Sequence, residues 1–234
     1  MTRSAPTKKK TEKPVKSARP RRAYHHGDLR RALLDAARAL IGAHGMEALT
    51  LREVAREVGV THAAPYHHFP TREALLDALS DEAFALLDAA MRVSLPIAGD
   101  GEGASGKLSA IGRAYIDFAR AHPEHLQVMF RRRSGPQQRP ASDPSEQANA
   151  RVFDHLLSAV QACQAEGSAP AGDPFTLALS AWSIVHGFAK LWIEGPLNEK
   201  EPYATARFED QRDAVLRDFV GSWRARARSE ARRR

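Results

Sequence analysis

"ALTLREVAREVGVTHAAPYHHFPTREALL", residues 48–76, holds three successive helix-start signals, and its reading decides the fold. Thr50-Leu51-Arg52-Glu53 has the form of a capping box, in which a threonine hydroxyl and a glutamate carboxylate satisfy the orphan amides of a helix start. Leu51, Val54, Ala55 and Val58 then share one face, and Gly59 ends the segment. Val60 plugs the turn, Thr61 is placed to cap a third helix from His62 to Phe69, and Thr71 caps a fourth after Pro70. Two short helices joined at a glycine, with a small residue at Ala55 where they cross closely, describe a helix-turn-helix with its motif at about residues 50–69.

Pro65 and the histidines fit that reading. With Thr61 as cap, Pro65 is the fourth helical residue, so its missing N–H removes only the first intrahelical bond. Ala64 is pushed away from α geometry, and the first turn is expected to be irregular without breaking the helix. His62, Tyr66 and His67 can reach phosphates or base edges, while Ala63 and Ala64 allow close approach to a groove. Phe69, and His68 with it, are expected to pack in the core. These histidines have no cysteine beside them and no ligand spacing, so no metal and no cofactor is expected.

Outward from this stretch the apolar residues keep a helical period. A first helix begins near Asp28 and carries Leu29, Leu33, Ala36, Ala37, Leu40 and Ile41, ending at His44-Gly45. The helix after Thr71 is long, with Leu75, Leu76, Leu79, Phe84, Leu87 and Met91 on one side. "PIAGDGEGASG", residues 96–106, breaks the pattern as a linker. Its Gly101-x-Gly103-x-x-Gly106 matches a dinucleotide fingerprint, but a helix rather than a strand precedes it, so the match carries no cofactor. Helices follow near 107–121, after Pro123, and over about 146–166, 174–194 and 205–227, with a polar interruption at residues 131–147. No segment alternates as a strand. The fold class is therefore all-α, with a helix-turn-helix domain at residues 23–84, a larger helical domain at 85–227 and basic tails at 1–22 and 228–234.

The net charge of +7 over 234 residues is unevenly placed. Residues 1–22 hold nine Lys/Arg and one Glu, and residues 224–234 hold six Arg and one Glu, leaving 20 basic and 26 acidic residues between them. Residues 23–72 are nearly neutral, with six Arg against five Asp/Glu, so the N-terminal arm is expected to supply nonspecific attraction to a polyanion. There is no apolar run long enough for a membrane span and no secretory h-region, which gives a cytoplasmic expectation. The single cysteine, Cys163, has no neighbouring base and reads as an inert thiol.

The quoted stretch resembles the N-terminal signature of the TetR/AcrR family of transcriptional regulators. The likeness rests on Gly59-Val60-Thr61, Tyr66, His68-Phe69-Pro70 and Thr71-Arg72-Glu73-Ala74-Leu75-Leu76, and runs from about Tyr24 to Phe84. Pro65 stands where the family usually has an aliphatic residue, and His62 where it has a lysine or similar base, which bears on the operator sequence rather than the fold. The resemblance implies that Thr50 and Arg52 contact phosphate, that Thr61, His62, Ala63, Tyr66 and His67 lie in or beside the major groove, and that Thr71 and Arg72 anchor on phosphate. Capping and phosphate binding are compatible, since a helix N-terminus that needs a cap also attracts an anion.

"AWSIVHGFAKLWIEG", residues 181–195, resembles the Trp-x-x-x-His-Gly pattern of one C-terminal subtype, carried by Trp182, His186 and Gly187. It implies an effector pocket in which Trp182 and His186 join Tyr115, Phe118, Met129, Phe130 and Phe153; the alternative is a buried, hydrogen-bonded structural histidine. Gly187 is expected to let another helix pass closely. Leu191 and Ile193 on one helix, and Val215, Leu216, Phe219 and Trp223 on the next, are expected to build a four-helix homodimer interface. The implied function is a dimeric, sequence-specific regulator of double-stranded DNA, reading a near-palindromic operator. As a repressor it would be released by a small apolar or amphipathic effector. An enzyme is the contrasting reading, against which stand the missing Gly-x-Ser-x-Gly elbow and the missing carboxylate pair. An architectural DNA protein without a ligand is another.

Overall fold

A computed structural model describes residues 29–95, 103–131, 144–195, 197 and 207–233, all built from helices and turns. The basic arm at residues 1–22 and the capping position Asp28 lie outside the described residues. Helix α1 (Leu29–His44) buries Leu33, Leu34, Ala36, Ala37 and Ile41. A single 3-10 turn (Met46–Ala48) leads into α2 (Leu51–Val58). The Thr50 hydroxyl oxygen accepts the Glu53 amide at 3.1 Å and its proton goes to the Glu53 carboxylate at 3.0 Å. The cap is as expected, but the reciprocal bond runs to the hydroxyl instead of the backbone amide. Gly59 closes α2 at φ 79°, its N–H reaching the Ala55 and Arg56 carbonyls. A left-handed residue at that position favours glycine.

The recognition segment departs from expectation. In place of an α-helix from His62 to Phe69 there is a 3-10 turn, Ala64–His67, which Thr61 does not cap through its side chain. In an α-helix the Thr61 carbonyl would take the N–H of residue 65, and proline has none. That carbonyl instead accepts the Ala64 amide at 3.0 Å, and Tyr66 donates to Ala63 at 3.2 Å, so the chain winds with three-residue bonds. Pro65 itself is buried. Phe69 is in the core at 2 % exposure, with the Arg30 guanidinium 5.3 Å from its ring centre, whereas His68 is exposed and has no core role.

Thr71 caps α3 (Arg72–Ser94) by accepting the Ala74 amide at 3.1 Å. At ~1.5 Å per residue this helix spans about 35 Å. It serves two cores in turn. Leu75, Leu76 and Leu79 join α1, α2 and Phe69 in an N-terminal cluster, while Ala83, Leu87 and Met91 belong to a larger one. The larger cluster is built with α4 (Gly103–Ala121), α6 (Pro144–Ala165), α7 (Pro174–Ile193) and α8 (Phe208–Ala231). Helix α4 starts at Gly103, earlier than expected, so Gly103 and Gly106 are helical and only residues 96–102 of the predicted linker lie outside the described residues. Helix α8 runs on through Arg228 to Ala231, into the predicted C-terminal tail.

Between the two cores lies α5 (Pro123–Met129), which packs on both α1 and α3. Two glycines differ in what surrounds them within the chain. A Cβ on Gly187 would meet nothing within 4 Å, while one on Gly112 would meet Leu216 Cδ2 at 2.8 Å and Val185 Cγ1 at 3.3 Å. Gly112 is therefore where α4 passes close to α7 and α8 within this chain.

Candidate functional site

The helix-turn-helix face comes first. Thr50, Arg52, Thr61, His62, Ala63, Tyr66, His67 and Thr71 are all exposed, and Tyr66 keeps 55 % of its surface open although it is aromatic. The N-termini of α2 and α3 open on this region, each with a threonine cap whose neighbouring amides suit an anion. Arg72 is placed differently from the others. Its Nε donates to the Leu49 carbonyl at 2.8 Å and an Nη to the Met46 carbonyl at 2.6 Å. Half-buried, its guanidinium ties α3 to the turn before α2 and fixes the angle between the capped helix starts. His68, expected in the core, is exposed and joins this face.

The second site is a cavity of about 290 Å³ between α3, α4, α5, α6, α7 and α8. Ligand pockets run from roughly 300 to 1,000 Å³, so this one suits a small molecule. Of the expected residues, Tyr115, Met129, Phe130, Phe153 and Trp182 line it. Phe118 does not: it is buried against His122, ring centres 5.1 Å apart. His186 stands behind the wall, where its Nδ1 and the Tyr115 hydroxyl share a hydrogen bond at 2.7 Å. The phenol donates when Nδ1 is the bare nitrogen of the ring. The His186 ring also lies edge-on to Phe130, with centres 5.1 Å apart. Burial, with the nearby Lys190 cation, lowers the His186 pKa, and burial pushes the Tyr115 phenol up, so the pair is a neutral one.

The rest of the lining was less visible in the sequence. Phe84 and Met91 come from the C-terminal half of α3, and Gly112 forms part of the floor. Asn149 is also there, and its buried Oδ1 has no hydrogen-bond partner. The signal for it was an amide on the apolar stripe of α6, at helical spacing from Val152, Phe153 and Leu156. No Lys, Arg, Asp or Glu is among the described lining residues.

A buried ion-pair network joins the wall to α3. Asp88, 1 % exposed, accepts from His155 Nε2 at 2.9 Å and from Arg151 Nε at 3.0 Å, both on the cavity helix α6. Burial alone would raise its pKa, but the bonds from His155 and Arg151 outweigh it and hold the carboxylate below its usual range. Cys163 is buried, which pushes its thiol up, in keeping with an inert side chain.

Two family models match the chain: one described as "Bacterial regulatory proteins, tetR family" over residues 33–79, and one as "Tetracyclin repressor-like, C-terminal domain" over residues 108–215. The chain belongs to the TetR family of bacterial transcriptional regulators. It is similar to a solved protein of unknown function from Rhodococcus sp. RHA1, at 34 % identity and TM-score 0.67, covering 87 % of this chain and 97 % of that one. A structure of AibR in complex with isovaleryl coenzyme A and operator DNA shares the fold, at 20 % identity and TM-score 0.57, over 83 % of this chain and 98 % of that one. Among curated proteins, the HTH-type transcriptional regulator BetI of Rhizobium meliloti (strain 1021) is 42 % identical over 69 residues, which are 26 % of this chain and 34 % of BetI. The chain thus spans about a third of that relative's length. No helix among the described residues is long and apolar enough to cross a membrane.

Proposed function

We propose that this chain acts as a homodimeric repressor whose hold on a near-palindromic operator is released by a small, neutral, largely apolar effector. The observation that carries the reading is a pair of consecutive residues on α5. Val128 is buried in the core of the helix-turn-helix domain, and Met129 lines the cavity. A ligand that displaces Met129 moves α5, a helix of about two turns, and with it Val128 in the N-terminal core. Allosteric coupling of this kind is worth typically 1–3 kcal/mol, or roughly 5–150-fold in affinity.

The cavity lining supports the effector class. Its described walls offer no counter-charge to a carboxylate or phosphate, while the Tyr115–His186 pair and the unpartnered Asn149 Oδ1 offer neutral hydrogen bonds. A polar group on the effector would be orientated by them and the remainder held by apolar contact.

The dimer interface we propose keeps Leu191 of the sequence expectation and sets aside Leu216 and Trp223. Leu216 and Trp223 are 3 % and 7 % exposed within one chain, so they are core residues and not available to a partner. The half of α7 turned away from the core instead shows Phe175, Leu179, Ile184 and Leu191 around Ser180, Ser183 and the open Gly187. A second copy's helix fits over those small residues, and a C2 dimer presents its two recognition segments to successive major-groove turns on one face of a duplex.

The test is selection of bound DNA from a random pool with the full-length protein, followed by sequencing. A two-fold symmetric motif with half-sites separated by whole helical turns is the expected product. Retention without any motif would contradict the reading.

A further inference from the structure

Where α5 meets α1 and α3, a group of titratable side chains has no part in the cavity or the DNA face. His125 is 1 % exposed, and neither of its ring nitrogens has a hydrogen-bond partner. Burying an imidazole in that condition is costly, because both nitrogens lose water and gain nothing. Glu124 Oε1 lies 3.8 Å from its Nδ1, and Glu82 Oε1 lies 3.5 Å from its Nε2, so each carboxylate faces a ring nitrogen without bonding it. His122 stands one helical step away, with its ring 5.4 Å from that of His125, centre to centre. One nitrogen from each histidine and one oxygen of Glu124 all lie within 4.8 Å of one another.

The backbone holds this arrangement. His122 precedes Pro123 at the start of α5, and its carbonyl accepts the amides of both His125 and Leu126 at 3.1 Å. That turn presents residues 122 and 125 on the same side. Arg38 of α1 lies 3.7 Å from both Glu124 Oε1 and Glu82 Oε1, a cation shared between the two carboxylates.

We propose that His122, Glu124 and His125 form a divalent transition-metal site, with Glu82 as the outer carboxylate that takes the remaining N–H of His125. Two imidazoles and one carboxylate are a donor set suited to zinc, water supplying the fourth position. Tetrahedral zinc holds its ligand atoms about 3.3 Å apart. His122 and Glu124 are only half-buried and can rotate to close the difference from 4.8 Å. A carboxylate on the second nitrogen of a metal-bound histidine fixes its tautomer and raises its basicity, which is the relation of Glu82 to Nε2. The metal would fix the first turn of α5 and, through Glu82 at His125, link it to α3 at the joint between the two cores. It is an input separate from the apolar effector and does not depend on it.

The experiment uses the full-length chain stripped with a chelator and dialysed. Zn²⁺ and Co²⁺ are titrated in by calorimetry, with the visible spectrum of Co²⁺ reporting geometry. The expected result is one Zn²⁺ per chain, a tetrahedral Co²⁺ spectrum bleached by Zn²⁺, and a higher melting temperature with metal. His122→Ala and Glu124→Gln, both at half-buried positions, should each abolish the spectrum and the melting shift, and Glu82→Gln should weaken binding by roughly 10–100-fold. His44→Ala, at the exposed end of α1, should leave the Co²⁺ spectrum and the melting shift as in the unmodified chain. No stoichiometric binding, or binding that survives in both His122→Ala and Glu124→Gln, would overturn the proposal.

Discussion

At the scale of single residues, the cavity is set by Gly112. A valine there would place its Cβ 2.8 Å from Leu216 Cδ2 and push its methyl groups into the space an effector needs. Gly112→Val is expected to cost about 1–3 kcal/mol, seen as a lower melting temperature, and to abolish effector binding measured by calorimetry while operator binding persists. His186 makes a prediction in pH. Its folded-state pKa is lowered by burial and by Lys190, so the unfolded chain binds its proton more readily. Its contribution to stability is therefore complete above the ordinary histidine value of about 6.5 and is lost as pH falls through that value and below. Tyr115 on α4 and Lys190 and Glu194 at the end of α7 are the titratable groups facing it. Denaturant midpoints of wild type and His186→Asn, measured between neutral and mildly acidic pH, should converge on acidification. A constant gap would remove His186 as a contributor.

At the scale of elements, the recognition turn shows how far sequence reading reaches. The helix-turn-helix was legible because caps and a left-handed glycine act locally: Thr50, Gly59 and Thr71 each do in the structure what their types and spacing indicate. Pro65 was recognised as a disturbance, but its effect was underestimated. Removing one donor at the fourth position left Thr61 to bond Ala64, and the segment stayed too short to recover α geometry. Pro65→Ala restores the N–H that the Thr61 carbonyl lacks. The variant is expected to wind the segment toward an α-helix and to shift the base preference of the selected operator, readable by repeating the selection. An unchanged motif would mean that the proline has no part in readout. Tertiary contacts were less legible. Phe118 has the right period for a wall of the cavity yet turns toward His122, and the close helix pass within the chain falls at Gly112, which the sequence reading did not single out. Helical period fixes which face is apolar, not which neighbour covers it.

At the scale of the molecule, α3 and α5 connect the two cores. Helix α3 carries the Thr71 cap and the Arg72 clamp at one end and Phe84 and Met91 at the other, and the Asp88 network fastens it to the cavity helix α6. In the proposed dimer the exposed half of α7 faces the partner. Leu191 is 55 % exposed among the described residues, so Leu191→Asp is expected to change the stability of the fold by no more than about 0.5 kcal/mol. It should convert the dimer to a monomer by sedimentation and weaken operator binding. A dimeric variant would move the interface elsewhere. The central claim is that occupancy of the cavity is transmitted to the DNA face. The most direct measurement follows operator binding by fluorescence anisotropy while a neutral apolar ligand fills the cavity, its occupancy read in parallel from Trp182 fluorescence. The account predicts that operator affinity falls in step with occupancy, at one ligand per chain. A ligand that saturates the Trp182 signal and leaves operator affinity unchanged would contradict it.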